Sequence, residues 1–265
     1  MDWDDTLCPD TISGFLNNLG FVPETYWEPL DQLVHEGWDI VSAYMKGLVD
    51  LLGNHPNAKS LLTNYAKSHT PFPGVEDLIE NLKREMPPKT QLHTFILSSG
   101  LKTLIQHIPC SHQFDHLIAS DLAFDEDGNI LFPKMVFSKD DKARLIQDLC
   151  RGQANTQRWS QIQKDCPTIP PHQILFLGDG YTDIPCFQWI KENGGNAIAI
   201  YNQEKVETIK RAENFLHKGL VQHIANADYQ RSEPLFKLII QKMKQRFESK
   251  GTAPNINANG SREHL

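Results

Sequence analysis

The residues of this sequence best suited to chemistry are acidic and fall into two clusters. One is Asp2-x-Asp4-x-Thr6; the other is Gly178-Asp179-Gly180-x-x-Asp183. The second follows the apolar run from Ile174 to Leu177 and opens a helical stretch. It therefore belongs at the carboxyl end of a strand, where open α/β sheets bind their ligands. The Gly-Asp-Gly turn lets backbone approach a ligand closely. Asp183 points back from the first helical turn, and Pro185 is tolerated that early in a helix. If both clusters occupy one site, several carboxylates converge, and like charges so close need protonation or a cation. All-oxygen ligation, with no nearby Cys or His to compete, suits Mg²⁺, which keeps several waters and also binds substrate phosphate. Taken singly, the clusters have plainer readings: a helix N-cap for the first and a strand-to-helix turn for the second.

The elements that must position these residues are read from periodicity. Residues 9–70 read as helical, with apolar residues at helical spacing from Tyr26 to Leu52 and again from Ala58 to His69. Thr70-Pro71-Phe72-Pro73-Gly74 is a breaker cluster and marks a boundary. Helix and strand then alternate. Helices are expected over Val75–Met86, Leu101–Ile108, Lys139–Leu149, Tyr181 onward, Lys205–Leu216 and Pro234–Ser249. Strands are expected over Leu92–Leu97, His116–Ala119, Ile130–Val136, Ile174–Leu177, Ala197–Tyr201 and Val221–Ile224. Strands separated by helices imply βαβ units and a parallel sheet. Asp125-Glu126-Asp127-Gly128-Asn129 lacks the length and closing Glu of a calcium loop and reads as a turn. Arg151 to Pro171 reads as a polar connection, the outer face of Pro234–Ser249 as a solvated basic surface, and residues 250–265 as disordered.

Composition narrows the partners. With 26 Lys+Arg against 33 Asp+Glu, the net charge of −7 argues against nucleic-acid binding. No apolar run approaches the roughly 20 residues that span a bilayer, and the acidic start is unlike a secretory signal. Five scattered cysteines without a CxxC pair suit reduced thiols in a cytoplasmic protein. Oligomeric state is not legible.

The order Asp2-Trp3-Asp4-Asp5-Thr6-Leu7, Ile96-Leu97-Ser98-Ser99-Gly100, Lys142 and Gly178-Asp179-Gly180-x-x-Asp183 resembles the haloacid dehalogenase superfamily of phosphohydrolases. It is similar in particular to the phosphoserine-phosphatase-like branch, and the resemblance runs from residue 2 to about 228. It implies an α/β fold: a three-layer, Rossmann-like parallel-sheet core formed by residues 1–8 and 71–249, with an inserted α-helical cap at 9–70. It implies a Mg²⁺-dependent phosphomonoester hydrolase acting on a small phosphorylated metabolite through an aspartyl-phosphate. Asp2 would be the nucleophile and Asp4 the general acid and base. Ser98, Ser99, Gly100 and Lys142 would bind the phosphoryl group. Mg²⁺ would be held by Asp2, Asp179 and the Asp4 carbonyl, with Asp183 holding a metal-bound water or orienting Lys142. Lys139 is a rival for Lys142, but Lys142 stands before Ala143-Arg144-Leu145-Ile146, the better match to the family's helix.

Two departures from the family pattern carry expectations of their own. The family's first motif ends a buried central strand, whereas here only Met1 precedes Asp2, so the sequence is expected to be an N-terminally truncated form lacking that strand. No Arg precedes Arg84, so the cap does not support phosphoserine specificity; Glu24, His35, Glu36 and Lys46 are its charged alternatives, more simply read as surface residues. Two competing functions stand beside the phosphatase: a non-catalytic relative that binds phosphate or a protein, and a 2-haloacid dehalogenase. The latter needs neither an acid at Asp4 nor the carboxylates at Asp179 and Asp183.

Overall fold

A computed structural model describes residues 1–53, 55–154, 156–162 and 166–248. The segment 250–265, expected to be disordered, lies outside them.

Four helices come first: α1 (Thr11–Asn18), α2 (Pro23–His35), α3 (Ile40–Leu52) and α4 (Ala58–Ser68). The single periodic run expected from Tyr26 to Leu52 is in fact two helices. Gly37 at φ +99° stops α2 in a conformation that costs a side chain energy, and Asp39 restarts the chain as N-cap of α3, accepting from the Val41 and Ser42 amides. Apolar spacing could not reveal the break, because Leu33, Val34 and Val41 pack against the same hydrophobic cluster on either side of it. After α5 (Leu78–Glu85) come β1 (Phe95–Leu101), the one-turn helix α6 (Lys102–Ile105), β2 (His116–Phe124), β3 (Ile130–Met135), α7 (Lys139–Cys150), β4 (Leu175–Gly178), α8 (Ile184–Glu192), β5 (Asn196–Tyr201), α9 (Val206–His217), β6 (His223–Asn226) and α10 (Pro234–Glu248).

β1 pairs in parallel with β2, and β4 with β5 and β5 with β6 likewise. β3 departs from the all-parallel expectation, because it returns antiparallel to β2 through the Asp125–Asn129 turn. That turn closes through Asp125 N to Asn129 O and Gly128 N to Asp125 O, as a turn rather than an ion loop. The two three-stranded sheets meet at the first two residues. Met1 N donates to Phe95 O, Leu97 N donates to Met1 O, and Asp2 N donates to Leu177 O. The bonds from one residue to both neighbours of Ile96 are the slanted parallel pattern. Residues 1–2 thus sit between β1 and β4 and deliver Asp2 to the carboxyl ends of both strands. An apolar cleft of about 140 Å³ is lined in part by Met1, Phe95, Leu175 and Met243.

Helices pack on the sheet so that one hydrophobic cluster joins α1–α6, β1 and α10, and a second joins α7, α8 and α9 to β4 and β5. Trp159 lies in the second cluster, 2% exposed, with its indole N–H on Asp148. The connection expected to be merely polar therefore contributes core, burying an aromatic side chain worth roughly 2–3 kcal/mol.

Candidate active site

Each acidic residue is placed by a local feature of the chain. Trp3 is completely buried beside Phe114 and anchors the stretch that carries Asp2, whose Oδ1 accepts from Trp3 N at 2.8 Å. Asp4 lies at the start of α1: its Oδ1 accepts from Thr11 N (2.8 Å) and Thr11 Oγ1 (2.6 Å). Asp10, the N-cap of α1, holds the same helix end through Ile12 N and Ser13 N. The two acids follow from one folding decision, the entry into α1.

At the end of β4, Asp183 Oδ2 accepts from Asp179 N (3.0 Å) and Gly180 N (3.2 Å), folding the turn onto itself. A Cβ at Gly178 would collide with that carboxylate, which explains the first glycine of the motif. Gly180 needs no special freedom: its φ is −113° and a Cβ there would meet nothing closer than 3.7 Å. The close approach at Gly178 is thus to the protein's own Asp183 carboxylate.

The two clusters do meet. An oxygen from each of Asp2, Asp179 and Asp183 lies within 4.8 Å of the others, and all three residues are buried. Lys142 reaches them from the first turn of α7, which Ser138 and Asp141 start with a reciprocal capping box. Its Nζ donates to Asp2 Oδ2 (2.7 Å) and Asp183 Oδ1 (2.9 Å), and the side chain is fully buried. Both oxygens of Asp183 are therefore engaged by protein, which suits orientation of Lys142 and the turn. Asp4 is not in this carboxylate group. Its side chain faces Thr11, leaving only its backbone carbonyl for the metal role the family resemblance implies.

Ser98, Ser99 and Gly100 lie where β1 loses register with β2, between the pairs Ser98–Ala119 and Leu101–Ser120. The strand expected over Leu92–Leu97 instead runs on and bulges through Ser99 and Gly100. Gly100 N donates to Ser98 Oγ (2.9 Å), and a Cβ at Gly100 would run into Asp4 Oδ2. The Ser99 hydroxyl is buried without a hydrogen-bond partner, an unsatisfied donor on the wall of the cleft.

Three polar contacts had no signal in the sequence. Arg211 of α9 donates to Asp179 through Nη2–Oδ2 (2.5 Å) and Nε–O (2.8 Å). Lys205 pairs with Asp5 at 3.1 Å. Tyr44 of α3 donates its hydroxyl to Ser99 O at 2.7 Å. All three come from elements remote in sequence; only the Asp10-Thr11 capping signal could have tied α1 to Asp4.

Electrostatically the site holds more negative charge than its cations offset. Burial, then the Asp183 charge, pushes Asp2 up to about 7 against the pull of Lys142. Burial, followed by Asp183 and Asp2, holds Asp179 well above the usual carboxylate range despite Arg211. Burial and then Asp10 raise Asp4 to about 7. For Lys142, burial alone would lower the pKa, but Asp183 and Asp2 outweigh it and the net displacement is upward, so it stays charged. A buried group of carboxylates that resist ionisation, with only oxygen donors, fits a hard divalent cation such as Mg²⁺.

Asp2, Asp4 and Asp179 line a cleft of about 320 Å³, bounded by Asp2, Ser98–Gly100 and Asp179–Thr182 on the sheet side and by Ile12, Trp27, Ile40, Val41 and Tyr44 on the helical side. Glu24, His35 and Glu36 are exposed and Lys46 pairs with Asp50; none of the four lines the cleft.

No family model and no curated protein matches this sequence. Solved structures do share the fold. A HAD family hydrolase from Salmonella enterica serovar Typhi superposes with a TM-score of 0.58 at 18% identity, covering 86% of this chain and 66% of that one. A phosphoserine phosphohydrolase-like protein from Francisella tularensis gives 0.53 at 15% identity, covering 84% and 93%. A substrate-bound phosphoserine phosphatase gives 0.51 at 18% identity, covering 82% and 95%. The chain thus shares the fold of a HAD family hydrolase and of phosphoserine-phosphatase structures. Among the described residues, no helix is long and apolar enough to cross a membrane.

Proposed function

We propose that this protein is a Mg²⁺-dependent phosphomonoester hydrolase working through an aspartyl-phosphate. The observation that carries this reading is the convergence of the Asp2, Asp179 and Asp183 carboxylates, with the buried Lys142 ammonium on Asp2 and Asp183. Such an array is costly to hold without a cation and a ligand that uses it. The shared fold with phosphatases lends support.

In this reading residues 9–70 form a cap over the cleft. Asp2, Asp179 and the Asp4 carbonyl would hold Mg²⁺, which when bound offsets the charge of the phosphoryl oxygens. A carboxylate oxygen of Asp2 attacks phosphorus, the P–O bond to the alcohol breaks, and Asp4 gives its proton to the departing oxygen. Asp4 then takes a proton from a water that attacks the aspartyl-phosphate, releasing phosphate and restoring Asp2. Lys142 keeps Asp2 aligned and lowers the cost of charge on the transferring group; the Ser99 hydroxyl and the bulged backbone at Ser98–Gly100 bind its oxygens. The pKa of Asp4, near 7, suits a group that must give and take a proton near neutrality.

Turnover of p-nitrophenyl phosphate, measured with Mg²⁺ and again after chelation, tests the proposal. Hydrolysis that disappears on chelation and returns with Mg²⁺ is expected. A folded protein without metal-dependent turnover would point instead to a binding protein.

A further inference from the structure

We infer that the alcohol side of this cleft is built for an organic ammonium group, so that the preferred substrates are phosphomonoesters of amino alcohols without a carboxylate. The inference rests on the phosphatase reading and adds the chemistry of the leaving group.

With the phosphoryl end at Asp2 and Ser99, the alcohol must extend toward α1, α2 and α3. That wall is apolar and aromatic, and it carries a fixed carboxylate. The Trp27 indole N–H donates to Ser13 Oγ at 3.1 Å, and the Ser13 hydroxyl donates in turn to Asp10 Oδ2 at 2.5 Å. This relay locks an indole ring near an acid that already caps α1 and so cannot swing away. The Tyr44 ring stands 6.3 Å from that of Trp27, tilted by 55°, and its hydroxyl is pinned to Ser99 O. Trp27 and Tyr44, both held by hydrogen bonds and both lining the cleft with Asp10, offer a compact cation ring quadrupoles and charge together.

The converse is as informative. Among the described residues no Lys, Arg or His lines the cleft. Lys142 is buried beneath its floor on Asp2 and Asp183. A leaving group with its own carboxylate would meet Asp10 with no counter-charge, so the pocket discriminates by repulsion as well as attraction. The absence of an Arg from the early part of the sequence thereby acquires a structural meaning: the wall selects for positive charge rather than lacking a specificity device.

The test compares kcat/KM, with Mg²⁺, for choline phosphate, its neutral isostere 3,3-dimethylbutyl phosphate, O-phosphoserine and p-nitrophenyl phosphate. Choline phosphate is expected to exceed both the isostere and phosphoserine by about tenfold. Asp10→Asn retains a capping side chain but removes the charge, and Trp27→Leu removes the ring; each should bring the ratio of choline phosphate to isostere toward one. Calorimetry on the Asp2→Asn protein provides a readout without turnover, with choline phosphate binding more tightly than the isostere. Hydrolysis of p-nitrophenyl phosphate with no preference for choline phosphate would overturn this inference and leave the phosphatase reading standing. Absence of metal-dependent turnover on all four esters would remove both.

Discussion

Lys142 Nζ lies 2.7 Å from Asp2 Oδ2, a contact that spans 140 residues and is completely shielded from solvent at the lysine. It joins the first turn of α7 to the residue between the two half-sheets. The same ammonium reaches Asp183 at 2.9 Å, so one cation ties together three separate segments of chain.

Removing that cation should be severe. Lys142→Met leaves Asp2 and Asp183 buried without their counter-charge, a change that typically costs about 3–5 kcal/mol. For a chain of this size that corresponds to a fall in melting temperature of roughly 6–20 °C, measured by circular dichroism without metal. Mg²⁺ should recover part of the loss. An unchanged melting temperature would mean that Lys142 does not carry the balance of charge in this site.

Asp2→Asn separates chemistry from folding. It relieves repulsion with Asp183, so secondary structure and melting temperature should be preserved, while phosphate release from p-nitrophenyl phosphate falls on the order of 10³-fold or more. Residual activity near the wild-type rate would remove Asp2 from the role of nucleophile.

The raised carboxylate pKa values make stability depend on pH with a definite sign. Asp2 and Asp4 sit at about 7, and Asp179 is displaced in the same direction, so between about pH 4 and 7 the folded protein holds protons that the unfolded chain has released. The stability these groups contribute is complete below their unfolded pKa and is lost as pH rises through 7. The metal-free protein should therefore melt at a lower temperature near pH 7.5 than near pH 5. Mg²⁺ should reverse the trend, adding roughly 5–10 °C near pH 7.5 at a hundredfold excess over its dissociation constant and much less near pH 5. A Mg²⁺ shift of equal size at both pH values would contradict the assignment of the cation to these carboxylates.

Asp4 and Gly100 should share a kinetic signature. Asp4→Asn removes the proton donor and should slow an alkyl phosphate by about 10²–10⁴-fold, but p-nitrophenyl phosphate much less, because its phenolate leaves without protonation. Gly100→Ala removes no functional group, yet its Cβ would displace the Asp4 carboxylate and should reproduce the same dependence on the leaving group. Equal losses on both substrates would argue that Asp4 only positions other groups.

The acidic residues of the candidate site were legible in sequence because their signals are local, whereas Ser98 and Lys142 were singled out only by the order of motifs in the family they resemble. A strand running into Gly178-Asp179-Gly180-x-x-Asp183 places those carboxylates at a strand end whatever surrounds them, and Asp2-x-Asp4 carries its own spacing. The alternation of strands and helices likewise follows from periodicity along the chain. What tertiary structure alone decided has no such local signal: the burial of Trp159 and the seating of Met1–Asp2 between β1 and β4. The same holds for Arg211 on Asp179 and for the Trp27–Ser13–Asp10 relay. Residue types and their local spacing determine which groups can do chemistry. Which charge neutralises which, and which rings face the leaving group, depends on distances between elements that only packing sets.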